Sequence, residues 1–336
     1  MVTKLIRWIG ISLIVFLAVG GVGIQQFENY LNLMDREGKW TGLISLPGSI
    51  EQKFYDSRMM QTLDENAKDD KTVLLSIDEQ SLKSVGRWPW SRMVWYEVIN
   101  KLKVYGAKVI AFDVIFSEPE LSRKEGEPSP DLYMAQAIAD FQAVPGNKVI
   151  IPYYLTTLAS SDDDISYKEL PGELYNFVLN TKQAKQDVNL TEWRVAKTMF
   201  PVPDLLKAEP GLAHITAYPD PDGVFRTNLV SVNVGDGIYM PSIGVSAFQY
   251  FTGESADLEI DSNGAAILKT KKGVMELGIT GASGIRWAGS QKSYGYVSIK
   301  DLLASDGKDP KIKEVLEGKI VFIGSTATGA HDLRHT

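Results

Sequence analysis

Val73-Leu74-Leu75-Ser76-Ile77 runs into Asp78, and Lys108-Val109-Ile110-Ala111-Phe112 runs into Asp113. Between them, Ser91 to Tyr105 carries Val94, Val98, Leu102 and Tyr105 at helical spacing and stops at Gly106, a residue that closes helices in the left-handed conformation. Strand, helix and strand within about 40 residues predict a βαβ unit, whose two strands must be parallel. Asp78 and Asp113 then share the edge where open α/β sheets bind ligands.

Beyond this unit, Ser129-Pro130-Asp131 reads as a helix start, with Leu132, Ala135, Ile138 and Ala139 as its buried face. Lys148 to Tyr154 is a third strand candidate, with Pro152 placing it near an edge or strand end. Thr156 to Phe200 gives no clear pattern. From Leu212 the chain changes to hairpins: Asp220-Pro221-Asp222-Gly223 and Gly235-Asp236-Gly237 turn around an alternating Val230, Val232, Val234 run, and Asn263-Gly264 and Lys272-Gly273 turn again. Ser298-Ile299-Lys300-Asp301 opens a short helix by a capping box, and Lys319 to Ile323 is a last buried strand between Gly318 and Gly324. The expected fold class is α/β: a parallel-sheet core containing Val73 to Ile77, Lys108 to Phe112 and Lys319 to Ile323. Hairpins from Leu212 to Leu277 are attached as an antiparallel insertion, and one transmembrane helix precedes the whole.

That helix is expected from Trp8 to Ile24, 17 residues without a charge, preceded by Lys4 and Arg7. At ~1.5 Å per residue the run covers most of a ~30 Å bilayer core. Basic residues before it, with Glu28 and Asp35 after it, place the N-terminus in the cytoplasm and the rest outside the inner membrane. A cleaved signal peptide is the alternative, since Ala18-Val19-Gly20 offers small residues. The expected organisation is residues 1–24 as cytoplasmic start and membrane helix, 25–70 as a juxtamembrane connector, and 71–336 as an extracytoplasmic domain. In the connector, a loop around Pro47-Gly48 precedes a helix from Ser49 to Leu63.

The formal charge is −7, and −9 once Lys4 and Arg7 are set aside, which argues against nucleic acid as a partner. No cysteine is present, so disulfides, thiolate catalysis and cysteine metal sites are excluded together. Phosphate-loop, dinucleotide, zinc-protease and serine-hydrolase motifs are missing, and no cofactor is implied. His331 and His335 share helical spacing beside Asp332 but lack a third ligand, and Asp220-Pro221-Asp222-Gly223 lacks the bidentate Glu of a calcium loop, so no metal site is expected.

Asp78 and Asp113 carry the sharpest alternatives. They cap the helix or turn after their strands, or they bind a cation or amine, or they raise one another's pKa for acid/base work. The candidate ligand site at this edge comprises Asp78, Asp113, Arg92, Arg226, Ser325 and Thr326, with Trp88 and Trp90 as core packing or as a lid together with the loop after Phe116. Arg92 and Arg226 paired with the two carboxylates would instead make the edge a structural ion network.

Ser76-Ile77-Asp78-Glu79-Gln80-Ser81-Leu82, followed by Gly86-Arg87-Trp88-Pro89-Trp90-Ser91-Arg92, resembles the type-2 CHASE domain, an extracellular sensory module of bacterial signalling proteins. The resemblance continues through Gly106 to Phe116, Pro219 to Arg226, and Gly318 to Ala327 with Asp332, covering most of the chain after about Ile50. It implies an input domain without catalysis of its own, responding to an unidentified small-molecule or peptide signal, compatible with a homodimer. It also implies three further membrane helices and a nucleotide cyclase, diguanylate cyclase or kinase output, expected beyond Thr336. A periplasmic hydrolase using Asp78 and Asp113, or a secreted solute-binding protein, are the alternatives from other classes.

Overall fold

The computed structural model describes residues 41–63, 69–122, 126–157, 172–185, 195–220, 222–234, 237–287, 289 and 293–327. The Trp8 to Ile24 run and the His331 and His335 pair lie outside these residues. Among the described residues no helix is long and apolar enough to cross a membrane. Helix α1 (Thr41–Thr62) belongs to a compact unit separate from the sheet. It begins earlier than expected and runs through Pro47-Gly48, where the proline removes one backbone donor without ending the helix.

In the larger unit, β1 (Thr72–Ile77), α2 (Glu79–Val85), α3 (Arg92–Val104), β2 (Val109–Phe112), α4 (Pro130–Gln142) and β3 (Lys148–Thr157) form the first half. After β4 (Asn180–Gln183), β5 (Val195–Met199) and α5 (Pro203–Leu206) come β6 (Gly211–His214), β7 (Thr227–Leu229), β8 (Ser231–Asn233), β9 (Tyr239–Pro241) and α6 (Ile243–Thr252). The described part ends with β10 (Asp257–Ile260), β11 (Ala266–Thr270), β12 (Gly273–Gly278), β13 (Ala282–Gly284), β14 (Gly295–Ser298), α7 (Ile299–Ala304), α8 (Pro310–Leu316) and β15 (Ile320–Ser325).

The main sheet runs β14-β1-β15-β2-β3-β6, all parallel, with β5 antiparallel to the far end of β3. The three expected core strands are therefore present and parallel. They differ from expectation in order: β15 lies between β1 and β2, so the βαβ unit straddles a strand that arrives last in the chain. Periodicity marks a strand but carries no information about its neighbour. Pro152 is likewise not at an edge, because β3 lies between β2 and β6. It is tolerated because pairing with β2 ends at Ile150, so the missing N–H falls past that ladder.

Side-chain alternation gives β2 two buried faces. Ile110 and Phe112 join Leu75, Ile77, Val149, Ile151, Val321 and Ile323 under α3, α4 and α7. Val109 and Ala111, with Ile150, Ala213 and Ile320, face α6 through Ala247, Ile243, Tyr250 and Phe251. Gly211 allows that approach, since a Cβ there would lie 2.7 Å from the Tyr250 ring.

Helix ends follow the sequence closely at α3 and α4. Ser91 caps α3 and Gly106 closes it at φ +78°, and the Ser129 hydroxyl caps α4 with Pro130 in its first turn. The buried face of α4 differs: Met134, Ala135, Ala137, Ile138 and Phe141 point inward, while Leu132 and Ala139 are exposed. That face packs against α3, α5 and β3. At α7, Ser298 makes no capping bond, so the expected box is not formed.

The antiparallel part is also only partly as expected. Leu212 lies in β6 of the parallel sheet, and α6 interrupts the hairpins. The antiparallel pairs are β8 with β9, β7 with β13, and the β10-β11-β12 meander, to which β4 adds in parallel.

Candidate functional site

Asp78 follows β1 and opens α2. One carboxylate oxygen accepts from the Ser81 backbone N–H and the Ser81 hydroxyl, both at 2.7 Å, and the other accepts from the Tyr296 hydroxyl at 3.1 Å. The Ser81 hydroxyl also lies 3.1 Å from that of Ser298 and accepts from the Lys300 backbone N–H, tying the starts of α2 and α7 together. Partial burial disfavours the Asp78 charge, but hydrogen bonds from Ser81, Ser298 and Tyr296 outweigh it and hold the carboxyl below its ordinary value. Thr326 and Ser325 finish the same corner: the Thr326 hydroxyl meets that of Ser76, and the backbone N–H groups of Thr326 and Ala327 donate to the Ile77 carbonyl. The Ser325 hydroxyl reaches the same carbonyl at 3.5 Å.

Asp113 follows β2, and its backbone N–H donates to the Ile323 carbonyl at 2.7 Å. With β15 between them, the strands ending at Asp78 and Asp113 are two spacings apart, about 10 Å. The two aspartates are thus not on neighbouring strands, and they stand in different surroundings. Asp113 lines a cavity of about 230 Å³ together with His214 and Thr216 at and just past the end of β6, Asn228 on β7, Ser242 at the start of α6, and Gly324. Leu74 and Phe322 contribute apolar wall.

His214 is fully buried, and neither ring nitrogen has a hydrogen-bond partner among the described residues. Burial drives its pKa down to about 3, so the ring is neutral at ordinary pH, with one N–H donor and one acceptor nitrogen. Tyr153, its register partner on β3, also buries its hydroxyl without a partner among the described residues, and burial raises that group's pKa. The Thr216 hydroxyl is committed to the Leu155 backbone, donating to its carbonyl and accepting from its N–H, both at 3.0 Å.

Neither arginine forms the expected pairs with the two aspartates. The Arg92 side chain donates to buried Asp131 at 3.0 Å and to the Glu118 carbonyl and lies over the Phe116 ring, while its backbone N–H donates to the Glu120 carboxylate. The second Asp131 oxygen accepts from the Glu120 backbone N–H, so this pair holds the loop after Phe116. Arg226 makes a bidentate pair with Asp222 and reaches Asp220 at 2.9 Å, locking the turn between them. The Arg226 hydrogen bonds lower the Asp222 pKa to about 2 against the opposing effect of burial.

Trp90, Trp95, Phe112 and Phe116 are buried, and with half-buried Trp88 they form a largely edge-to-face array at 5.4–6.1 Å. The Trp90 indole donates to the Gly86 carbonyl, leaving it little scope as a moving lid. The predicted set therefore divides into the Asp78, Ser325 and Thr326 corner, Asp113 at the cavity, and three structural groups around Trp88 and Trp90, Arg92, and Arg226. Sequence reasoning missed His214, Asn228 and Ser242. The signal available for Ser242 was a hydroxyl residue directly before the apolar Ile243-Gly244-Val245; His214 had none beyond its place at the end of an apolar run.

A family model described as the CHASE2 domain matches residues 38–336. No curated protein and no solved structure matches the chain.

Proposed function

We propose, since the chain belongs to the CHASE2 domain family, that it is the ligand-sensing input of a membrane-bound bacterial signalling protein. The family is a sensory, extracytoplasmic one, and the fold is a parallel α/β core with antiparallel sheets. In this reading Trp8 to Ile24 anchors the chain with its N-terminus in the cytoplasm, the sensor stands outside, and a cyclase or kinase output lies in the longer protein. The chain itself carries no catalysis.

One observation carries the sensing role: at the carboxyl edge of the sheet a cavity is lined by Asp113, His214, Asn228 and Ser242, and the buried imidazole there has no protein partner among the described residues. A small concave site with a few convergent polar groups is the usual form of a ligand pocket. A hydrolase built on paired carboxylates fits poorly. The two strand ends are about 10 Å apart, and the lowered Asp78 pKa is opposite to what an acid catalyst needs. The test is a thermal-shift screen of the purified chain with a parallel assay for turnover. Stabilisation without turnover supports the reading, whereas turnover abolished by Asp78→Asn overturns it.

A further inference from the structure

Between α6 and the β11-β12 hairpin lies a cavity of about 390 Å³, which shares Asn228 and Ser242 with the Asp113 cavity and is otherwise separate from it. Its walls are mostly apolar, formed by Val230, Val245, Phe248, Leu268, Val274 and Met275. Its volume falls within the roughly 300–1,000 Å³ usual for small-molecule pockets. Ser242 caps α6 and Phe248 stands six residues further on, so at ~1.5 Å per residue the cavity follows the helix for about 9 Å.

On the hairpin side, Val274 and Met275 are 58% and 45% exposed, although Leu268 and Leu277 of the same hairpin are buried. Apolar side chains left in water around a concave surface mark a binding groove. Lys272 is the only charged residue among those lining the cavity. Its ammonium lies 5.9 Å from the centre of the Phe248 ring and has no carboxylate partner among the described residues. Lys269, three residues earlier on β11, pairs instead with Glu259 at 3.4 Å. A lone cation beside an aromatic ring at an apolar slot matches an anionic head on an apolar body.

We infer that this cavity binds a small amphipathic carboxylate, its head at Lys272 and its alkyl or phenylalkyl body along α6 against Phe248, Leu268 and Met275. This is a second site, and it does not rest on the sensory reading of the Asp113 cavity. The body takes the exposed surface of Val274 and Met275 out of water, and the head supplies the charge that the lining lacks. An ammonium head would meet the like charge of Lys272, a neutral head would leave that charge unpaired, and a head without a body would leave the apolar walls uncovered.

The experiment is calorimetric titration of the purified 336-residue chain with hexanoate and 4-phenylbutanoate. The comparison compounds are 4-phenylbutylamine, 4-phenylbutan-1-ol and acetate, which carry the opposite charge, no charge and no apolar body. At least one of the two acids should bind, with each comparison compound at least tenfold weaker. Lys272 is exposed, so Lys272→Glu should keep the melting temperature while weakening the acid at least tenfold and making the amine the tighter of the two. Gly244→Trp fills the cavity from a position where nothing lies within 4 Å of an added Cβ, and should abolish binding. Binding of the alcohol as tight as that of the acid, or acid binding lost in Gly244→Trp but unchanged in Lys272→Glu, overturns the carboxylate at Lys272. Acid binding unchanged in both variants overturns the site itself. No binding of either acid at about 10 mM also overturns the inference.

Discussion

Asp78 and Asp113 occupy equivalent places in the sequence, each directly after an apolar strand, yet they end in different environments. Asp78 is saturated: it caps α2, receives the Tyr296 hydroxyl and joins a serine network reaching α7. Asp113 faces a cavity in which a buried histidine has no protein partner among the described residues. The difference lies in the backbone after each strand. A helix begins at once after β1, and its N–H groups claim the Asp78 carboxylate, whereas β2 passes into the irregular segment leading to Phe116. A strand-end aspartate becomes a cap when a helix starts on it, and lines the sheet edge when none does.

The strongest loss of stability should come from Arg92→Met, which asks whether Arg92 belongs to either corner. The change leaves Asp131 buried without its cation and should destabilise the chain by about 3–5 kcal/mol in chemical denaturation, the cost of breaking a buried pair. Ligand affinity in the surviving folded fraction should not change; a loss of affinity at unchanged stability would put Arg92 in the site after all.

Acid should separate the two corners next. His214 has a folded pKa near 3 against an ordinary 6.5, so the unfolded chain takes up the proton first and stability falls as pH drops from about 6.5 towards about 3. At 1.36 kcal/mol per unit the loss by pH 5 is about 2 kcal/mol, and His214→Gln should remove that slope. Asp78 behaves differently, because its folded pKa lies below its ordinary 3.8: its contribution is complete above that value and is lost only as pH falls through the lower one. Urea melts at neutral pH, at mildly acid pH and just above the carboxylate range distinguish the two. A slope on the mildly acid side of neutrality that persists in His214→Gln contradicts the assignment.

Asp78→Ala should cost about 1–2 kcal/mol at neutral pH, in the range of a lost helix cap. Less should be lost in Asp113→Asn, which keeps the shape of an exposed side chain that caps no helix. A larger loss at Asp113 than at Asp78 would reverse the roles given to the two corners.

Much of the parallel core was legible because strands buried on both faces read as short apolar runs, and because Ser91, Gly106, Ser129 and Pro130 mark helix ends through local backbone chemistry. Strand order was not legible. The insertion of β15 between β1 and β2 depends on pairing between residues far apart in the chain, as with Leu74 and Phe322. The site was legible by half for the same reason. Asp113 follows from its place at a strand end, but His214, Asn228 and Ser242 come from β6, β7 and the start of α6, which only the fold brings to that edge. The arginines show the converse: Arg226 finds its partners four and six residues away in its own turn, a local pairing that the Asp220-Pro221-Asp222-Gly223 sequence already contained.

On the proposed function the sensing site is the Asp113 cavity and not the Asp78 corner, and melting the parent chain, Asp78→Ala and Asp113→Asn side by side against a library of small polar molecules decides between them. Compounds that raise the parent's melting temperature should raise that of Asp78→Ala equally, from a lower baseline, and leave Asp113→Asn unmoved. Stabilisation lost in Asp78→Ala and kept in Asp113→Asn would contradict this assignment.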